Sequence, residues 1–166
     1  VGHLLHYHPY VERMKELKRE IGKIKYITAN RMSMGIFREN ENVLWSFAPH
    51  DISVVLSLCG DEMPKEVICN GSDILTSGIE DIMNVVLKYE DKYVNINVNW
   101  LSPVKEQKMT VVGEKGAIVF DDVVKELVLF PEYRTEDGKP IKNNGIKQEI
   151  EMDKSPLFRE CEHFIE

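Results

Sequence analysis

The sequence lacks the features that would place it in several large classes of protein. Its three cysteines have no paired spacing, which argues against a disulfide scaffold and favours a reducing, cytoplasmic location. No apolar run approaches the ~18 residues that cross a membrane. Lys and Arg number 21 against 28 Asp and Glu, for a net charge of −7, whereas a nucleic-acid-binding protein needs a basic surface. We therefore expect neither a membrane nor a nucleic-acid partner.

The common signatures of catalytic and metal sites are missing too. The sequence contains no Cys-x-x-Cys, His-Glu-x-x-His or Gly-x-Ser-x-Gly, so it predicts neither a zinc site nor a serine nucleophile. His3, His6 and His8 cluster near the start, but no further ligands follow at a set spacing. No Gly-x-Gly-x-x-Gly opens a helix, and the glycines at 113–116 join two strands, which predicts a hairpin instead of a phosphate loop.

The composition is that of one globular domain. A chain of 166 residues with 43% hydrophobic and 30% charged residues buries enough surface to fold without staples. It opens without Met and closes inside a predicted helix that begins at Ser155 and Pro156. We therefore expect residues 1–166 to be one domain of a longer protein.

Hydrophobic periodicity predicts few helices and many strands. An opening strand precedes a helix that starts at Pro9, and a second helix buries Ile52, Val55, Leu56 and Cys59 before it ends at Gly60. Turns are predicted at 70–71, 90–91 and 113–116, with a longer loop at 135–145. Further strands are predicted at 23–34, 65–70, 82–89, 93–101, 108–112, 117–121, 127–130 and 146–152. This pattern predicts an α+β fold, with an open, mostly antiparallel sheet and helices packed on one face.

The predicted strand at 93–101 has two different faces. Val94, Ile96, Val98 and Trp100 alternate with residues that are mostly amides. The apolar face suits packing under helices, whereas the amide face is either solvated or in contact with a second subunit or a pocket. The residues of the amide face are Tyr93, Asn95, Asn97 and Asn99.

The segment at 45–52 is the best candidate for chemistry. It places His50 and Asp51 in an apolar run at a predicted helix start. A histidine in such surroundings suits proton transfer because it titrates near neutral pH. Alternatively, His50 is structural, and Asp51 is a first-turn acid favoured by the helix dipole.

Several stretches, in order along the chain, resemble the C-terminal domain of the glucose–fructose oxidoreductase/inositol dehydrogenase (GFO/IDH/MocA) family. They are residues 1–9, 22–24, 42–52, 100–103, 111–122 and 160–164. The resemblance implies that a Rossmann domain binds NAD or NADP in another part of the protein, and that no cofactor-binding residue lies in this chain. It also implies a substrate site on this domain and a sheet that forms a homodimer or a higher homo-oligomer.

The same resemblance implies roles for individual residues. His50 matches the family's catalytic histidine, whose lysine partner belongs to the Rossmann half. Ser46 replaces an aspartate that is common in the family, so either lysine and His50 suffice, or Asp51 substitutes, or the activity differs. Arg31 and Lys105 could bind a carboxylate or diphosphate of a substrate, or could be ordinary surface cations. The residues expected to bind substrate are Tyr7, His8, Arg31, Ser46, Asp51 and Lys105.

The function implied is therefore hydride transfer between a nicotinamide and a hydroxyl carbon of a sugar or nucleotide sugar. The longer protein would be the active enzyme and the chain alone would be inactive. The alternative is a non-catalytic sugar-binding or assembly module on the same fold, which the serine at position 46 favours.

Overall fold

The computed structural model describes residues 2–60, 62–142 and 144–165. Val1, where the predicted opening strand begins, and Asn143, in the predicted loop at 135–145, lie outside them. The helices are a 3₁₀ helix (Leu4–Tyr7), α1 (Pro9–Leu17), α2 (Val43–Cys59) and α3 (Pro156–Ile165). The strands are β1 (Ile24–Met32), β2 (Glu66–Ser72), β3 (Ile82–Lys88), β4 (Tyr93–Asn99), β5 (Glu106–Gly113), β6 (Ala117–Asp121), β7 (Glu126–Phe130) and β8 (Ile146–Lys147).

All eight strands form one sheet, in the order β2-β3-β4-β1-β5-β6-β7-β8. β1 pairs in parallel with β4, and every other neighbouring pair is antiparallel. Helices α1 and α2 pack on one face of this sheet. The predicted α+β class, with an open and mostly antiparallel sheet, is confirmed. Within the described residues, no helix is long and apolar enough to span a membrane.

The two faces of the sheet differ in burial, as the alternating pattern of the β4 residues predicts. Val94, Ile96 and Val98 are fully buried under the helices, and the residues between them are less buried. Across the other face, which we call the open face, asparagines from four strands lie in register. They are Asn70 of β2, Asn84 of β3, Asn97 of β4 and Asn30 of β1.

The predicted opening strand is wrong, because this segment forms the 3₁₀ helix. His6 N donates to His3 O at 2.9 Å, and His8 N donates to Leu5 O at 3.2 Å. These local bonds replace strand pairing, and Leu5 is the buried residue of the turn. α1 then begins at Pro9, as predicted, where the missing N–H costs nothing.

Helix α2 follows the polar segment that ends at Asn42, as the sequence predicts, but it buries a different stripe. It begins at Val43, and Asn42 is its N-cap, because Asn42 Oδ1 accepts a hydrogen bond from Trp45 N at 3.3 Å. Pro49 lies inside the helix, where proline is usually disfavoured. Of the predicted stripe, Val55 is fully buried, whereas its other three members are only partly buried. The predicted end at Gly60 is confirmed, with a φ of +76°.

Two β-sheet predictions are also corrected. The predicted turn at 70–71 lies within β2, where Asn70 and Gly71 pair with β3. The strand predicted at 146–152 is reduced to the two residues of β8. The predicted helix at the other end is confirmed, since Ser155 Oγ accepts from Phe158 N at 3.2 Å.

Candidate functional site

His50 lies exposed in the middle of α2. Ser46 precedes it by one helical turn and therefore shares its side of the helix. The 3₁₀ helix lies alongside, since His6 Nε2 is 3.2 Å from Ser53 O, and Ser53 Oγ donates to His50 O at 2.8 Å. His3 lies next to His6, with ring centroids 5.9 Å apart. A surface patch of three imidazoles and a serine hydroxyl results.

The surroundings of His50 favour its neutral form. Partial burial lowers the pKa of His50 most, followed by the positive charge of Arg31. The carboxylate of Asp51 raises this pKa, and His3 lowers it slightly. Because the net shift is downward, the imidazole is neutral at neutral pH and can accept a proton from a hydroxyl group.

Arg31 and Asp51 form a buried ion pair behind His50. Arg31 Nε donates to Asp51 Oδ2 at 2.6 Å, and Arg31 Nη2 donates to Asp51 Oδ1 at 3.1 Å. Their side chains are 12% and 7% exposed. Asp51 is therefore not a first-turn acid, since it lies at mid-helix. Each charged group has the other as its hydrogen-bond partner, which favours a structural role over the predicted contact with substrate.

His8 is also enclosed. The residue is 3% exposed and caps α1, where its Nδ1 accepts from Tyr10 N at 3.3 Å. Its Nε2 lies 3.2 Å from Asp122 Oδ1, and Lys125 pairs with the same carboxylate. Although burial opposes it, hydrogen bonds from His8 and Lys125 hold the pKa of Asp122 well below its usual range. Both ring nitrogens of His8 are engaged, which favours a structural role over the predicted contact with substrate.

The other two expected residues, Tyr7 and Lys105, belong to other parts of the fold. The hydroxyl of Tyr7 is 2.8 Å from His163 Nδ1 of α3, which joins the 3₁₀ helix to α3. Lys105 is exposed just before β5, at the end of the sheet where β1 also ends. Neither has a hydrogen bond to His50 or Ser46 within the described residues.

Sequence reasoning missed the histidines beside His50. His3 and His6 were considered as metal ligands, but nothing in their spacing indicated that they flank α2. Among residues 2–60, 62–142 and 144–165, no three His, Cys, Asp or Glu side chains are arranged to hold a metal ion.

The residues present do not fit the pyrophosphate of a nicotinamide cofactor. Such a group binds the free N–H groups of a helix that follows a glycine-rich turn. The connection from β1 to α2 contains one glycine, Gly35. At the start of α2, Val43 N donates to Glu80 O at 3.0 Å, and Trp45 N donates to the Asn42 side chain. This helix start is therefore already occupied by the protein's own acceptors.

Comparison with known proteins gives a family and a fold. Residues 12–119 match the family model described as the GFO/IDH/MocA C-terminal domain. No curated protein matches the chain. Among solved structures, a presumed oxidoreductase from Magnetospirillum magnetotacticum MS-1 has a TM-score of 0.82 at 25% identity, over 99% of this chain and 53% of that one.

Two further structures share the fold at lower identity. The UDP-N-acetylglucosamine 3-dehydrogenase of Acidithiobacillus ferrooxidans has a TM-score of 0.78 at 15% identity, over 95% of this chain and 48% of that one. An inositol dehydrogenase homologue from Azotobacter vinelandii, complexed with NAD+, has a TM-score of 0.71 at 11% identity. The match covers 96% of this chain and 50% of that one. The chain thus spans about half the length of these solved structures.

Proposed function

Because this chain belongs to the GFO/IDH/MocA C-terminal domain family, we propose that it is the substrate-binding domain of an NAD(P)-dependent dehydrogenase. The longer protein would add a Rossmann domain, since the start of α2 is occupied by the protein's own acceptors. The observation that supports the proposal most directly is the exposed His50, whose pKa is lowered. The solved structures of similar fold, which include an NAD+ complex, are consistent with it.

In this proposal, His50 is the catalytic base. Its neutral imidazole accepts the proton of a substrate hydroxyl while the carbon that bears the hydroxyl is oxidised to a carbonyl. A nicotinamide held by the other domain would supply the hydride acceptor. His50 returns the proton in the reverse direction. A positioned base of this kind contributes roughly 10²–10⁴ in rate.

The proposed substrate is a sugar or a nucleotide sugar. Ser46, His3 and His6 offer hydrogen-bonding groups near His50, which suit the hydroxyls of a sugar. Tyr7 and Lys105 are proposed to bind more distant parts of the substrate. Arg31, Asp51 and His8 are left out, because each is engaged inside the protein.

Ser46 favours a second candidate, a non-catalytic sugar-binding or assembly module. A serine cannot supply the charge of the aspartate that the resemblance implies at this position. The same patch of histidines would then bind a sugar without reaction. The two candidates differ in whether His50 affects turnover or only affinity.

We further propose that the open face forms a homodimer or a higher homo-oligomer. Tyr26 and Tyr93 stack there with ring centroids 6.1 Å apart, and Tyr93 is 42% exposed. Asn95 Oδ1 is buried and has no hydrogen-bond partner among the described residues, so a second copy could supply a donor. A cytoplasmic location is proposed because the three cysteines, Cys59, Cys69 and Cys161, are all free.

The experiment is a turnover assay on the longer protein that contains this chain. Reduction of NAD+ and NADP+ is followed with inositols, simple sugars and UDP-sugars as substrates. His50→Ala should lower kcat by roughly 10²–10⁴ and leave cofactor affinity intact. Ser57→Ala, on the same side of α2 two turns further on, is the matched control and should retain kcat.

Retention of kcat in His50→Ala would contradict the catalytic role. If no substrate of the panel is oxidised but sugars still bind, the binding module is favoured. The sequence upstream of this chain gives an independent check, because the proposal expects a glycine-rich strand-to-helix turn there.

A further inference from the structure

The Arg31–Asp51 ion pair occupies a specific place in the fold. Arg31 lies near the end of β1, a central strand, and pairs across the sheet with Val98 and Gln107. Asp51 lies on α2 directly after His50. The two hydrogen bonds of the pair therefore join the helix that bears His50 to the middle of the sheet.

Stability alone does not explain this pair. Removing two charges from water costs several kcal/mol for each ion, and a buried pair is often no more stabilising than apolar side chains of similar size. The neighbouring core offers such an environment, since Leu5, Val11, Val54 and Met109 line the same small cavity as the pair. A buried bidentate pair does, however, restrict geometry, because both oxygens and both nitrogens must meet.

We propose that Arg31 and Asp51 are positioning residues for His50: the pair fixes the turn of α2 that presents the imidazole and sets the electrostatic field around it. This role rests on one part of the proposed function, namely that His50 transfers a proton. The ion pair itself touches no substrate.

The charged and titratable groups facing His50 come from three elements. They are His3, which directly precedes the 3₁₀ helix, Arg31 of β1 and Asp51 of α2 itself. His6 of the 3₁₀ helix lies against Ser53 O and the ring of His3. Arg31 lowers the pKa of His50 and Asp51 raises it, with Arg31 the stronger of the two. The two members of one ion pair therefore act on the imidazole in opposite directions.

The test is an NMR titration of the His50 imidazole in this chain, with the signal assigned from His50→Gln. Asp51→Asn leaves Arg31 uncompensated, so the pKa of His50 should fall by about 0.5 or more. Arg31→Gln leaves Asp51 uncompensated, so this pKa should rise by about the same amount. A purely structural pair would lose stability in both variants without opposite changes in titration.

Matched controls keep the result interpretable. Lys147 and Glu126 form an exposed ion pair between β8 and β7, and Lys147→Gln or Glu126→Gln should leave the titration of His50 unchanged. Arg31→Lys keeps the charge and loses the bidentate geometry, so the pKa of His50 should stay near that of the wild type.

A double variant guards against failure of the single variants to fold. Arg31→Met/Asp51→Leu removes both charges together, which is often neutral for stability. Because Arg31 is the stronger influence, the pKa of His50 should rise, by less than in Arg31→Gln. An unchanged pKa in the double variant, or shifts of the same sign in both single variants, would overturn the proposal.

The titration needs neither substrate nor cofactor, so it separates this inference from the proposed function. If the longer protein proves inactive, the opposite shifts of His50 would still support positioning by the pair. If it is active, the pH profile of kcat should move in the same direction as the titration in each variant.

Discussion

Asp81 accepts a hydrogen bond from the indole Nε1 of Trp100 while both side chains are buried, with 2% and 1% exposure. Its other oxygen, Oδ2, accepts from the backbone N–H groups of Ile74 and Leu75, each at 2.7 Å. One carboxylate thus ties the connection between β2 and β3 to the end of β4. It therefore anchors this loop to the core.

We predict that Asp81→Ala destabilises the chain by about 3 kcal/mol, because it leaves three donors without an acceptor. Chemical denaturation monitored by Trp fluorescence would measure the change. Asp137→Ala removes an exposed aspartate in the loop after β7 and serves as the control, with an expected change within about 0.5 kcal/mol. Equal stability of the two variants would contradict the anchoring role.

The same carboxylate should contribute to acid unfolding. Burial alone would raise the pKa of Asp81, but its hydrogen bonds from Leu75, Trp100 and Ile74 outweigh burial and lower it. A lowered folded-state pKa gives a contribution that is complete above the ordinary Asp value of ~3.9 and is lost as pH falls through the folded value. Stability measured from pH 6 down to about pH 2 should therefore fall less steeply in Asp81→Asn than in the wild type.

Gly113 is predicted to tolerate no side chain. A Cβ atom at this position would lie 2.2 Å from Ile21 O, a backbone atom that cannot move aside. Gly113→Ala should cost about 2 kcal/mol or more, measured as a lower melting temperature. Gly35→Ala is the control, because the nearest atom to its Cβ would be Ser33 O at 3.8 Å. A melting temperature equal to that of the control would disprove the close contact.

Ser46→Asp tests whether the serine replaces a helper carboxylate. The new carboxylate would lie one turn before His50, where its charge favours the imidazolium and raises the pKa of His50. In the longer protein we expect kcat to be kept or raised, with the pH profile shifted upward. Ser46→Asn, which is similar in size and uncharged, should leave the profile in place. Loss of folding in Ser46→Asp alone would instead show that the position does not accept a charge.

The chain by itself is predicted to fold, to self-associate and to bind no nicotinamide cofactor. Light scattering should give a mass above that of the monomer, and Asn97→Lys, which adds a charge to the open face, should lower it. Calorimetry with NAD+ or NADP+ should show no binding heat, because the helix start that follows β1 is already capped. If the chain is strictly monomeric at high concentration, the predicted self-association is wrong. Clear binding of NAD+ or NADP+ would contradict the proposal that the cofactor is bound by another domain.

The fold was largely predictable because its strands alternate regularly. Val94, Ile96 and Val98 alone indicate a sheet with one covered face, and the structure confirms it. Secondary structure was predicted wrongly where contacts with residues distant in sequence outweigh the local pattern. The opening segment was predicted as a strand, although it forms the 3₁₀ helix Leu4–Tyr7, which packs against α2 and α3.

The site was less predictable than the fold. His50 was found from its sequence context, whereas the partner of Asp51 is Arg31, twenty positions away on another element. No periodicity connects a strand residue with a helix residue at that separation. Arg31 and Asp51 were expected to bind substrate because each was considered as an isolated charge, and pairing them required the packing of α2 on β1.

The position of β1 has a consequence for how the chain folds. Its neighbours on either side are β4, which begins at Tyr93, and β5, which begins at Glu106. During synthesis β1 therefore emerges long before either strand that will hydrogen-bond to it, and pairings so distant in sequence are slow to form. A nascent chain halted within β3 would still expose both edges of its central strand, and only synthesis through β4 and β5 covers those edges and lowers the risk of aggregation.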